Sequence, residues 1–397
     1  MTFNKKNGNN TIFDIVVIGA GPTGIAFACG LANTKIKIAI IDKLSKVSIS
    51  NPKLDGREIA LTHQSIKILK KIDVWSHIPK KLMSVIKEAR ILDGNSSYFL
   101  NFKHDEIQKD NLGYLIPNHV IKKNLYKKLK KLSNVTLLDN SECVSINTNK
   151  NHYSVILSNG KSIKTSLVVA ADSRFSKIRS KMGIPAFVND FKKDMIVCRM
   201  KHEKPHKNIA HEFFRYNQTQ ASLPYIKNQS GIVTTSTKDM TTDLMNMSKK
   251  NFNKEMEKSF NNFFGKMELV GKRFSYPMIT TYTKKFISHR FAVIGDAAVG
   301  MHPVTAQGFN LGLKGSDILI EEIKLALKNN IDIGSTDVLK SYQTKLHFAA
   351  APVYLATNGI VNLFTSTILP AKFTRQFILR FVNSIKPAKQ AFLNMLR

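Results

Sequence analysis

The stretch from Ile12 to Asp42 leaves this chain few ways to fold. An apolar run, Ile12 to Ile18, suits one buried strand, and Gly19-Ala-Gly-Pro-Thr-Gly24 follows as a turn with Pro22 where a helix would begin. A second apolar run, Ile36 to Ile41, ends at Asp42, 18 positions beyond Gly24. Strand, glycine turn, helix and a second strand closing on an acid make a βαβ unit of the kind that binds a dinucleotide. Gly19 opens the tight turn, Gly21 lets the backbone approach a pyrophosphate at the positive helix end, and Gly24 allows helix to pack on strand. Pro22 and Thr23 complete the cofactor turn, and Asp42 is expected to accept ribose hydroxyls. A secretory signal would share the apolar character up to Ala32, but Asp14, the glycines and the helix-strand alternation that follows argue against it.

A second motif lies nearly three hundred residues away, in Arg290-Phe-Ala-Val-Ile-Gly-Asp-Ala-Ala-Val-Gly-Met-His-Pro-Val-Thr-Ala-Gln-Gly-Phe-Asn310. A Gly-Asp pair closing a buried run, then a turn rich in Pro and Gly, narrows the dinucleotide to FAD. Asp296 follows the run Phe291 to Ile294, so its carboxylate should emerge at a strand's carboxyl end, where ribityl hydroxyls need an acceptor. A helix is predicted from Gly308 to about Leu327. Reduced FAD is an anion at neutral pH, and the free N–H groups around Gln307, Gly308 and Asn310 at that helix's amino end would stabilise it.

Length and composition suit an enzyme with a large core: 397 residues, room for two subdomains around one cofactor, and an ordinary 43% hydrophobic content. Cys29, Cys143 and Cys198 are far apart and form no Cys-x-x-Cys or Cys/His group, which implies a reducing cytoplasm, no disulfide framework and no metal. The charge is unusual, with 60 basic against 28 acidic residues giving +32. Two readings stand side by side: lysine-rich residue usage spread along the whole chain, or attraction to an anionic membrane surface. No RNA-binding signature, zinc finger or basic zipper accompanies the charge, so no nucleic-acid partner is expected.

Along the chain, Ser45 to Arg57 reads as a polar loop and His63 to Lys71 as a helix; Val85 to Lys103 reads as a strand pair turning at Asp93-Gly94. Ile121, Leu125, Leu129 and Leu132 have helical spacing after Pro117-Asn118, with the intervening lysines on a solvated face. Val135 to Leu138 is a short strand, and Tyr153 to Leu157 pairs with Ser162 to Val169 across Asn159-Gly160, a strong hairpin signal. Pro185 to about Tyr282 has strand-like periodicity and no motif, and falls to a substrate domain by exclusion. The expected architecture is α/β: a discontinuous Rossmann-like FAD-binding domain (1–180 and 285–345), an inserted, mostly β (α+β) substrate domain (181–284) and a helical carboxy-terminal region (346–397).

The Gly19 to Gly24 turn, the segment from Ala171-Asp172 to Arg179 and the Gly295-Asp296 segment, in this order and spacing, resemble the three fingerprints of the single-component FAD-dependent aromatic hydroxylases, relatives of para-hydroxybenzoate hydroxylase. Asp55-Gly-Arg57, Leu112-Gly-Tyr114 and the Pro303 to Asn310 loop are most similar to the ubiquinone-biosynthesis hydroxylases, and Val299 to Thr305 resembles the branch that hydroxylates 5-demethoxyubiquinol. The resemblance covers nearly the whole chain. It implies that Arg57 and Pro303 lie beside the flavin, and that Asp172 belongs to a segment touching both FAD and a transient NAD(P)H donor, with Arg179 and Arg174 available to phosphates. Three departures stand out: Ser173 and Ala306 replace usual glycines, and Val299 a usual histidine.

The implied activity is hydroxylation of a prenylated phenol or quinol ring with NAD(P)H and O2 through a flavin hydroperoxide, chemistry that the cofactor carries. No catalytic acid or base is therefore named. His302 is a candidate that reads first as a packed histidine, since no second catalytic group is visible nearby. Alternatives on the same scaffold are an isoprenoid reductase or an epoxidase; one of another class is a non-enzymatic basic scaffold at a membrane surface. Leu346 to Ala371 carries no Lys, Arg, Asp or Glu, and residues 372–397 alternate basic and apolar positions without an acid. A peripheral helix on the inner membrane, or a docking element for a ubiquinone-biosynthesis complex, would have this pattern, and so would a packed helix pair.

Overall fold

The computed structural model describes residues 11–94, 98–149, 152–215, 218–303, 306–365 and 389. Strand Thr11–Ile18 runs through the middle of a parallel sheet, with Ile38–Ile41 and then Val135–Leu138 on one side and Ser162–Ala170 and then Phe291–Val293 on the other. Ile15, Val16 and Val17 are wholly inaccessible, as expected of a parallel sheet covered on both faces. The helix Pro22–Gly30 packs against the helices Asn118–Leu129 and Gln307–Lys328. The expected hairpin forms: Tyr153–Leu157 is antiparallel to Ser162–Ala170, and Gly160 supplies φ +79° at its turn.

The second layer is an eight-stranded sheet whose longest members, Ala186–His202 and Met267–Thr283, lie antiparallel. It differs from expectation in three ways. Glu88–Asp93 and Phe99–Lys103, placed by the sequence in the cofactor domain, join this sheet through a parallel pairing with Ile209–Arg215. The substrate region also holds two helices, Lys238–Asn246 and Lys249–Ser259, each capped by a hydroxyl, Thr237 and Ser248. Phe252, Met256 and Phe260, one turn apart, form the stripe that buries the second of these on the sheet. Third, the last helix spans Thr336–Thr365 and crosses the boundary drawn at residue 346.

Within the predicted loop after residue 45 there is one short helix, Lys46–Ser50, with Ser45 as its cap. A small three-stranded sheet, Glu58–Leu61, Gly113–Pro117 and Ser84–Ile86, makes up a further part of the fold. The three cysteines are buried and free. Among the described residues no helix is long and apolar enough to cross a membrane. The basic segment 372–397 lies outside the described residues except Lys389, whose ammonium meets Glu106 Oε1 at 2.5 Å.

Two close approaches set the geometry where the strands end. A Cβ on Gly19 would lie 2.4 Å from the Ala171 carbonyl oxygen, and one on Gly24 would lie 2.1 Å from the Gly19 oxygen. Gly24→Ala should therefore cost on the order of 2–4 kcal/mol. Gly359→Ala, on an open helix position with nothing within 4 Å, should instead stabilise by about 0.5–1 kcal/mol. Urea unfolding of the two variants checks the contrast; equal effects would contradict it.

Candidate active site

The carboxyl ends of the parallel strands and the face of the second sheet enclose a cleft of about 370 Å³. Gly21, Pro22 and Thr23 line it, and Gly21 caps its helix with backbone alone, without a side-chain hydrogen bond. The nearest protein atom to a Cβ on Gly21 would be 4.0 Å away. Packing therefore explains the glycines at 19 and 24 but not the one at 21, which opens onto the cleft. Thr23 also serves packing, since Cβ atoms on Gly295 and Gly312 would lie 2.9 and 3.0 Å from its Oγ1. Asp42 lies behind the turn, its Oδ2 accepting from the Ala20 amide at 2.6 Å and its Oδ1 from Leu44 at 2.8 Å. Each oxygen keeps a second lone pair for a hydroxyl donor.

A second helix amino end faces the same cleft. Helix Gln307–Lys328 starts after Ala306 without a side-chain cap, and Pro303, Ala306 and Gly308 line the cleft. Two uncapped helix ends on one cavity present free N–H groups and positive dipole ends, a setting that favours anionic groups. The Asn310 side chain has a bracing role besides the one expected of its backbone N–H. Its Nδ2 donates to the Ala60 and Ala306 carbonyls at 2.9 and 3.0 Å and its Oδ1 accepts from the Thr62 amide at 3.1 Å, so it fastens the helix start to strand Glu58–Leu61. Gln307 is buried and faces a neighbouring cavity rather than the cleft.

Asp296 lies just past strand Phe291–Val293, half exposed, 3.2 Å from the Arg174 guanidinium. Asp172 lines the cleft with Oδ1 buried and unpartnered; burial raises its carboxyl despite hydrogen bonds and Arg179 acting the other way. Arg179 does not serve phosphates: it is buried, and its Nη1 donates to the Ala297 and Arg174 carbonyls at 2.9 and 3.2 Å. It braces the middle segment against the last one. Arg174 and Arg57 do line the cleft. Arg57 pairs with Asp55 at 2.7 Å and lies over the Tyr276 ring at 5.4 Å. Burial alone would raise Asp55, but the Arg57 charge with hydrogen bonds from Arg57 and Asn118 holds it below the usual range.

His302 is 4% exposed and edge-on to Phe191 at 5.0 Å; burial first, then Arg174 and Lys193, push its pKa down to about 3. It is neutral throughout the physiological range, as a packed histidine would be. Two further acids, Glu58 and Glu212, line the cleft and its neighbouring cavities. Glu58 lines the cleft with its side chain 4% exposed, Oε1 held by Arg199 at 2.6 Å and Oε2 without a partner. Glu212 lines two smaller cavities, an apolar one of about 200 Å³ and a chamber of about 50 Å³, which meet the cleft at Ala306 of the flavin loop, the segment that starts at Pro303 and ends at Asn310. Glu58 sits on a strand of ordinary pattern and Glu212 in a region without motifs, so neither carried a local signal.

The chain matches the FAD binding domain family over residues 13–355. It is 39% identical over 387 residues to the ubiquinone hydroxylase UbiM of Neisseria meningitidis, covering 96% of this chain and 84% of that protein. Identity is 29% to the ubiquinone hydroxylase UbiL of Rhodospirillum rubrum, over 96% and 89% of the two chains. Among solved structures, p-nitrophenol 4-monooxygenase of Pseudomonas putida superposes with a TM-score of 0.79 over 98% of both chains at 16% identity, a likeness of fold.

Both departures from glycine fall on positive-φ backbone: Ser173 at φ 156° and Ala306 at φ 52°. Ser173→Gly and Ala306→Gly should each raise stability by about 1 kcal/mol, read from denaturant midpoints. Gly21→Val should leave the purified protein folded but lower its FAD-to-protein ratio at least about tenfold, because a branched side chain would displace the pyrophosphate and meet little protein. An unchanged ratio would remove the cleft's assignment.

Proposed function

The chain belongs to the FAD-dependent hydroxylases of ubiquinone biosynthesis, and from that membership we propose that it hydroxylates the aromatic ring of a prenylated ubiquinone precursor, 5-demethoxyubiquinol first among them. When bound, FAD would supply the redox chemistry: two electrons taken as hydride from NAD(P)H, one oxygen atom of O2 placed on the ring and the other released as water. The protein's part is to hold, orient and dry the reactants. The amino ends of the helices Pro22–Gly30 and Gln307–Lys328 offer N–H groups to the anionic parts of the cofactor. Asp42, behind the turn, and Asp296, at the cleft, would accept its sugar hydroxyls, and Arg57 and Arg174 would supply cations for a donor that binds transiently.

The observation that carries this reading is the apolar cavity beyond the flavin loop. Leu61, Phe102, Leu112, Phe214 and Ile360 line it, and it shares Ala306 and Leu223 with both the cleft and the chamber. A phenol with an isoprenoid tail needs such a groove next to its site of oxidation. The test is expression in strains lacking each quinone-ring hydroxylation step, with the quinone identified by mass spectrometry. Restored ubiquinone in the strain lacking demethoxyubiquinol hydroxylation is expected. An isoprenoid reductase or epoxidase would restore none, and its product would lack the ring oxygen.

Contact with a lipid surface is part of the proposal, because the tail partitions into the bilayer. Phe348, Pro352 and Leu355 are exposed one turn apart on helix Thr336–Thr365, in a stretch without charged side chains. Phe348→Glu with Leu355→Glu should weaken co-sedimentation of the full chain with anionic vesicles at least about threefold. Equal sedimentation of the double variant would place the contact elsewhere.

A further inference from the structure

Glu212 stands in strand Ile209–Arg215, opposite Ile91 on one side and Ala221 on the other. It lines both the apolar cavity and the small chamber whose far wall is His302, Pro303 and Ala306. No charged group among the described residues compensates it: burial is the sole cause acting on its carboxyl, raising it to about 8. The ionisable groups around it are spoken for or neutral. Arg90, from the adjacent strand, is bound to Glu88 at 2.7 Å and lies over the Phe99 ring. His211, next to it in the strand, is pushed down to about 4 by burial first and then Arg90, and His302 across the chamber to about 3. The strands Gln218–Pro224 and Gln229–Thr237 contribute Thr219, Ala221, Leu223, Val233 and Thr235 to the chamber, none of them charged.

We propose that Glu212 is a substrate-positioning residue whose un-ionised carboxyl donates a hydrogen bond to a ring oxygen of the aromatic substrate, at the boundary between the chamber beside the flavin loop and the cavity that takes the tail. The proposal rests on the hydroxylase reading and narrows it. Apolar walls hold a prenylated ring but leave it free to turn about the axis of its tail; one polar group among them selects the orientation, and with it the ring carbon presented to the flavin. An ionised carboxylate without a partner would be expelled from such surroundings, whereas a neutral acid both donates and accepts. The group therefore suits phenols, quinols and quinones and disfavours anionic rings such as aromatic carboxylates. Acids perturbed by burial and facing a cavity cluster at functional sites, and Glu212, partly accessible through two cavities, is such an acid.

The test uses the full-length oxidised holoprotein and a benzoquinone bearing a short isoprenoid tail, a probe that cannot titrate and whose oxygens only accept. Affinity is measured calorimetrically between pH 6.5 and 9.5, with FAD content and melting temperature checked for every variant. Wild-type affinity should fall above about pH 8, approaching tenfold per pH unit, because the acid that donates is lost on ionisation. Glu212→Gln keeps a donor, so its affinity should stay within about threefold of the wild type at pH 7 and become independent of pH. Glu212→Leu should bind at least about tenfold more weakly at pH 7 while keeping its FAD. Undiminished binding by Glu212→Leu, or a flat pH profile in the wild type, overturns the assignment. A wild-type holoprotein that binds no prenylated quinone overturns the hydroxylase reading along with it, whereas tight binding that ignores residue 212 strikes this inference alone.

Discussion

The side chain of Thr23 is the contact through which two ends of the chain become one site. Its Oγ1 fills the space left by the missing side chains of Gly295 and Gly312, where Cβ atoms would come within 2.9 and 3.0 Å. The first glycine turn is thereby seated on the Gly295-Asp296 segment and on the helix that carries the flavin loop. The Ala171 carbonyl presses on Gly19 from the third side. These approaches are short because each uses a glycine, and a single added methyl in any of them would push the strand ends apart. The cleft's shape depends on that closeness, since the rest of the cofactor region is a covered parallel sheet whose interior tolerates little movement.

Charge is divided across the site. The cofactor side holds ionic side chains of both signs and uncapped helix ends: Arg57, Lys122 and Arg174 line the cleft with Glu58, Asp172, Asp296 and the starts of two helices. Beyond Ala306 burial acts against charge: it lowers His302 and His211 and raises Glu212 to about 8, and the one cation lining the apolar cavity among the described residues, Arg90, is paired with Glu88. A dinucleotide carrying two phosphates belongs with the first environment and an uncharged ring with an isoprenoid tail with the second. The chain's large positive charge therefore has little to do with where the ring would sit; most of it lies on lysines spread over the surface. Ser173 and Ala306 add backbone strain at two edges of the cleft, in conformations that glycine adopts freely.

Patterns confined to a short window were legible. The run Ile12 to Ile18, the turn after it and the strand ending at Asp42 could be read because strand, glycine and helix signals are all local, and helix His63–Lys71 and the hairpin at Asn159-Gly160 could be read for the same reason. The substrate region was harder. Its helices at 238 and 249 interrupt strand-like sequence, and the strand pair 88–103 is committed to the second sheet by a parallel partner more than a hundred residues later. Such a pairing leaves no mark in the strand itself.

The sequence by itself determined the cofactor half: which turn is bare of side chains and which acids end strands, because backbone access to a pyrophosphate demands glycine at a definite place, and that the dinucleotide is FAD, because a second Gly-Asp segment follows at a distance. Only the tertiary structure decided what each polar residue does once folded. It turned Asn310 and Arg179 into struts, since their donors meet backbone carbonyls that come near only on folding, and it left Glu212 facing two cavities with no compensating charge among the described residues. Hydrogen-bond partners and burial are properties of the assembled layers, so no local pattern could assign them.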